Sequence, residues 1–242
     1  MKNKEVDIDA LFKQARKYLD HLVGQSNTDQ AWKELQSRLQ EPALKKMLER
    51  VRRFETGSGR LRITDRKDIL ALLLYVKGRY RKLGEGICGM TRILKLLFLA
   101  QEELEVDALV RNPYRFQPYK LGPFTPEVYD DLEVLRRAGL VKRETLDEDG
   151  FPVLQQDNEI DEGFKLNNLT TLYRLTAKGK RFARALLANG RKRKRNLEPG
   201  LTIIKGQFGA MPLHELLRYI YTRYPEYTTE SVILEKILGK RK

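Results

Sequence analysis

The sequence predicts a mostly helical α+β protein: an N-terminal helical arm, a compact core with a small sheet, and a C-terminal helical cap. Three observations lead there. Apolar residues recur at spacings of three and four through most of the 242 residues. Strand-like patterning is limited to a few short stretches. Thr56-Gly57-Ser58-Gly59 is the clearest linker signal in the chain. The segments expected are therefore 1–57 (arm), 60–190 (core) and 191–242 (a basic linker followed by helices).

Ile8, Leu11, Phe12, Ala15, Tyr18, Leu19, Leu22 and Val23 form the stripe of a first amphipathic helix, ended by Gly24 to Asn27. A second helix around Asp29–Leu39 presents Trp32 and Leu35. A third, around Pro42–Phe54, starts with Pro42 in its first turn and presents Met47 and Val51. Stripes this extensive need covering, by the core or by a second copy of the arm, and the expectation is a homodimer through the arm. The core opens with a Leu- and Ala-rich helix over Asp65–Tyr80, broken at Gly84-Glu85-Gly86. Thr91–Glu105 is apolar around most of its circumference and should be central. Tyr114–Tyr119 alternates as a short edge strand with Pro118 in it. Thr125-Pro126-Glu127 reads as cap, N1 proline and an acid facing the helix dipole. The helix it opens ends at Gly139. Leu140–Thr145 and Thr171–Leu175 are strand-like, and Thr176 caps a helix to about Ala188. Leu213–Tyr221 and Thr229–Leu238 complete the helices. Tyr119 and Phe124 are expected to pack on the Thr91–Glu105 helix.

Helix, helix, Gly139-Leu140-Val141, two strands and Leu175-Thr176-Ala177-Lys178-Gly179 resemble a winged-helix core, with the hairpin as wing. A closer resemblance lies in Phe116-Gln117-Pro118-Tyr119-Lys120-Leu121-Gly122-Pro123-Phe124-Thr125-Pro126-Glu127-Val128-Tyr129-Asp130-Asp131-Leu132, with Arg92–Ala100 before it. This is similar to the Panacea (SocA-like, antitoxin-associated) domain, and also to the YwgA-like winged-helix proteins, whose closing signature resembles Leu216–Thr228. The resemblance covers roughly residues 68–238. It implies a protein linked to toxin–antitoxin or phage-defence loci and carries over no catalytic residue. Two features depart from an ordinary DNA-reading helix pair. About twenty residues separate the two helices, and the second carries Glu127, Asp130, Asp131 and Glu133 against Arg136 and Arg137. Acids suit a phosphate-walled groove poorly, so DNA contact is expected on another surface.

Charge points to where. Lys and Arg number 47 against 33 acids, a net charge of +14, and such a surplus attracts polyanions. Residues 191–242 hold 12 basic and 5 acidic residues, whereas Glu144 to Glu162 holds eight acids and no Lys or Arg. The candidate nucleic-acid-binding residues are Lys77, Arg79, Arg81 and Lys82 around Tyr80, then Arg92 and Lys95, and finally Arg191, Lys192, Arg193, Lys194 and Arg195. Cations hold phosphates and an aromatic among them can stack on a base. The partner expected is DNA or RNA. The alternative is an antitoxin-type module that binds a toxin or defence effector through its segregated charge. A metal-dependent nuclease is a third and weaker reading. Two histidines (His21, His214), the single Cys88 and Asp147-x-Asp149-Gly150 make no metal or nucleophile motif, so no enzyme, cofactor or metal is expected. One cysteine rules out an internal disulfide and fits the cytoplasm. The longest apolar run, Ile69 to Val76, is too short for a membrane span.

Overall fold

A computed structural model describes residues 28–147, 170–192 and 196–239, with side chains outside 28–40, 191 and 192. The chain divides into two units, Met1–Lys45 and Lys46–Lys242. Helix α1 (Thr28–Glu55) carries Pro42 within it, where the sequence suggests two helices. Proline removes one donor and crowds the carbonyl four residues back. Leu39, Gln40, Ala43 and Leu44 around it are strong helix formers, and the helix continues.

From Lys46 onward, α1 belongs to the second unit, so residues 46–57 are core rather than arm. Met47 and Val51 are buried, and Phe54 meets Phe182 edge-on at 5.6 Å. Arg50 forks onto Asp68 at 2.6 and 3.0 Å. Met47 and Val51 are therefore not available to a second copy. Leu11, Tyr18, Leu22, His21 and the side chain of Trp32 lie outside the described residues.

Asp65 and Asp68 close a capping box on α2 (Arg66–Tyr75), which is buried from Lys67 to Tyr75. The helix stops five residues short of Tyr80 because its last carbonyls are claimed by the Lys205 amine and the Gly84 N–H. Strand β1 (Ile87–Cys88) and helix α3 (Met90–Leu104) follow. Residues 114–119 are not a strand. Gln117 bridges to Phe124 and Lys120 to Gly122, and Pro118 and Pro123 lack the N–H groups that would extend a ladder. Gly122 turns with φ +80°, and a Cβ there would lie 2.7 Å from the Tyr221 ring. Phe98 of α3 meets Phe116, Tyr224 and Tyr227 edge-on. Tyr119, expected on α3, is instead exposed and lies against Phe124 at 4.8 Å.

Buried Thr125 accepts the Glu127 N–H at 3.4 Å at the start of α4 (Glu127–Arg137). Strands β2 (Val141–Leu146) and β3 (Thr170–Leu175) pair antiparallel, Val141 opposite Leu175 and Leu146 opposite Thr170. β1 takes the other edge of β3, giving the order β1-β3-β2. Thr176 accepts the Gly179 N–H at 3.0 Å and donates to the Gly139 carbonyl at 2.7 Å. It thereby caps α5 (Ala177–Lys192), which runs through Asn189-Gly190 and four residues past Ala188.

The expected linker continues into a packed element. Helix α6 (Glu198–Ile203) runs into a π-helical turn, Ile204–Phe208, and Leu197, Leu201, Ile204 and Lys205 are buried. Helix α7 (Leu213–Arg223), a 3₁₀ turn (Pro225–Thr228) and the short α8 (Leu234–Leu238) end the described chain, in place of one helix over 229–238. The protein is thus α+β and mostly helical. Among the described residues, no helix is long and apolar enough to cross a membrane.

Candidate nucleic-acid interface

The segment after α2 is a tied loop rather than a helix end. The Gly84 N–H donates to the Tyr75 carbonyl at 2.7 Å and the Arg81 N–H to Gly78 at 3.1 Å. The Glu85 carboxylate accepts from the N–H groups of Tyr80 (3.1 Å) and Lys82 (2.7 Å). Arg81 sits at φ +57°, in the left-handed region. Beneath lies Lys205, whose Nζ donates to the carbonyls of Leu74 (2.8 Å), Val76 (3.0 Å) and Glu85 (2.7 Å). One buried side chain thereby caps the end of α2 and fixes both ends of the loop. Burial pushes the Lys205 amine down to about 7, with Lys180 adding to the shift and Glu85 opposing it. All three hydrogens of an ammonium have an acceptor here, which favours the charged form.

Held this way, the loop presents Lys77, Arg79, Tyr80, Arg81 and Lys82 to solvent. Tyr80 is 70% exposed, with the Arg79 guanidinium 5.6 Å from its ring centre. A Cβ on Gly84 would lie 2.5 Å from Cε of Lys180. The stem of Lys180 therefore lies on the loop and joins it to α5. That helix holds six basic residues and no acid over Ala177–Lys192. Lys180, Arg181 and Arg184 are exposed, spaced to share one face. These three are legible in the sequence, since Lys178, Lys180, Arg181 and Arg184 fall within seven residues, but their helix reads first as a capped amphipathic element rather than as a basic one. Arg191 and Lys192 extend the same helix. Arg193, Lys194 and Arg195 lie outside the described residues.

Two expected contacts are removed from this surface. Lys95 is 1% exposed and donates to the Pro123 carbonyl at 2.7 Å, so it cannot reach a phosphate. Its amine serves instead to hold the 119–124 turn on α3. The Arg92 guanidinium is half-buried and donates to the carbonyls of Gly209 (3.0 Å) and Met211 (2.6 Å). Both lie on the central helix, where a cation survives by bonding to backbone.

The acids of α4 have structural partners. Arg66 donates to Asp131 at 2.7 Å and Glu127 at 2.6 Å, and Lys67 reaches Asp131 at 3.1 Å. Glu133 pairs with Arg136. Outside this network, Tyr119, Phe124 and Tyr129 form a chain of rings at 4.8 and 6.2 Å, with Tyr119, Leu121 and Tyr129 exposed. Most of the acidic segment 144–162 lies outside the described residues. Glu144 at its start is held by Lys142 and Arg174 of the hairpin. Among the described residues, no three His, Cys, Asp or Glu side chains come together as a metal site requires. Comparison with family models, curated proteins and solved structures finds no match to this chain.

Proposed function

We propose that the chain is a non-enzymatic, cytoplasmic nucleic-acid-binding protein of winged-helix type, serving as a regulator or as a component of a toxin–antitoxin or defence system. The observation that carries this reading is the basic surface shared by the 77–84 loop and α5. Its exposed cations Lys77, Arg79, Arg81, Lys82, Lys180, Arg181 and Arg184 have no acidic partner among the described residues, whereas Lys178 of the same helix pairs with Glu55 at 3.5 Å. Helix, strand, helix, helix and hairpin in that order, with the first strand pairing on the last, support the winged-helix assignment. The resemblance of 116–132 to the Panacea domain supports the setting. In this reading phosphates are gripped by the loop and α5, while in α4 Glu127 and Asp131 are held by Arg66 and Lys67 and Glu133 by Arg136. Tyr80 stands among the cations where a base or sugar would stack.

The test is binding to generic duplex DNA across a salt series. Each neutralised phosphate contributes about −0.9 to the slope of log K against log salt. Replacing Lys82, Lys180, Arg181 and Arg184 with glutamine should flatten that slope by roughly 0.9 for each phosphate no longer held. Absence of binding by the unaltered protein at low salt would end the proposal. The exposed Tyr119–Phe124–Tyr129 cluster favours a second reading, an antitoxin-type module with a protein partner, since exposed aromatics anchor such interfaces. That reading requires Tyr119→Ser with Tyr129→Ser to abolish effector neutralisation while the glutamine variant retains it.

A further inference from the structure

At the far end of α5 from Lys180, a cleft of about 230 Å³ opens between Arg62, Ile63, Thr64, Leu109, Arg111 and the Asn189-Gly190 pair. Among the described residues, none lining it is acidic. Arg62 and Arg111 are exposed and have no acidic partner among the described residues. Their backbones are fixed. The Arg111 N–H donates to the Thr64 carbonyl at 3.1 Å. The Arg62 carbonyl accepts from Arg50 at 2.5 Å, the same guanidinium that forks onto buried Asp68. Two arginine residues thus line a partly apolar recess, their backbones tied to the segment ahead of α2.

Paired guanidinium forks match the several oxygens of a phosphoryl group, offering parallel N–H donors that a single carboxylate could not fully use. The volume falls below the ~300–1,000 Å³ of sites for drug-sized molecules, so it suits a phosphate with at most a sugar attached.

We propose that this cleft is a phosphate-monoester site, filled by the terminal phosphate of a bound nucleic-acid strand or by the phosphate of a free nucleotide. Only the first source rests on the nucleic-acid reading above. The experiment compares the full chain with Arg62→Gln/Arg111→Gln and Arg62→Lys/Arg111→Lys. Both side chains are exposed, so folding should be kept, and circular dichroism checks it. Inorganic phosphate and a nucleoside monophosphate should raise the Tm of the unaltered chain, not that of the glutamine variant, and should act weakly on the lysine variant, which keeps charge without forks.

A strand bearing a terminal phosphate should bind about tenfold more tightly than its hydroxyl-ended twin if the strand is the source. Equal binding of the two strands, with the monophosphate effect retained, assigns the free nucleotide. Equal phosphate effects in all three proteins, or no phosphate effect and no end preference, overturn the proposal. Phosphate effects that depend on Arg62 and Arg111 while duplex DNA fails to bind at low salt would sustain the cleft and remove the nucleic-acid reading alone.

Discussion

Lys95 and Lys205 are both buried, yet they are held in different ways. Lys205 spends three hydrogens on three carbonyls, whereas Lys95 has one acceptor, Pro123, at 2.7 Å. Burial pushes the Lys95 amine from its ordinary 10.5 down to about 7. Between those values the unfolded chain carries a proton that the folded one has shed. Stability therefore rises as pH climbs from about 7 toward 10.5, by up to roughly 1.4 kcal/mol per pH unit for a fully neutral amine. Below about 7 both states are protonated and the slope disappears. Lys95→Met should lessen the rise in urea midpoint between pH 7.5 and 9.5, leaving the contribution of Lys205. Parallel pH profiles for the two proteins would refute this. Neither lysine announces itself in the sequence. Each is one cation among 47 basic residues, and only the neighbouring backbone shows that its work is internal.

Gly179 shows what a legible element rests on. A Cβ there would lie 2.0 Å from the Leu140 carbonyl oxygen, so the turn from β3 into α5 closes only on a glycine. Thr176 beside it caps the helix and bonds back to Gly139. The phrases Gly139-Leu140-Val141 and Leu175-Thr176-Ala177-Lys178-Gly179 are readable for this physical reason: they are the two halves of one contact. Gly179→Ala should cost about 1–3 kcal/mol or more in urea unfolding. Gly59→Ala, with its nearest neighbour at an ordinary 3.6 Å, should stay within about 0.5 kcal/mol. A small effect at Gly179 would mean the contact relaxes. Other elements are hidden. The two residues of β1 are too few to show a period. Pro199 and Gly200 make 196–209 look like a linker, although Leu197, Leu201 and Ile204 keep helical spacing. Gly200 serves close packing, since a Cβ would lie 2.4 Å from Leu104.

At the scale of the molecule, the surplus of +14 is plain in the sequence, but its placement is not. Gly84 and Lys180 are 96 positions apart, and only folding brings the loop and α5 into one surface. Of the cations expected to touch phosphate, those of the 77–82 loop belong to that surface, Arg92 and Lys95 do not, and Lys180, Arg181 and Arg184 join it. A ligand that binds only the folded chain stabilises it by about 2.7 kcal/mol at 100 times its Kd. A short duplex at that level should raise Tm by on the order of 5–10 °C in low salt, and by little near 1 M salt, where screening reaches ~3 Å. A salt-independent rise, or none, would contradict a phosphate grip. The loop tied by Glu85 and Lys205 also bears on speed. Its backbone is set during folding, so under the proposed function a polyanion would meet the loop already shaped and wait for no rearrangement of its backbone. Capture should then proceed at a rate governed by diffusion and long-range attraction, with escape left to decide how long each encounter lasts.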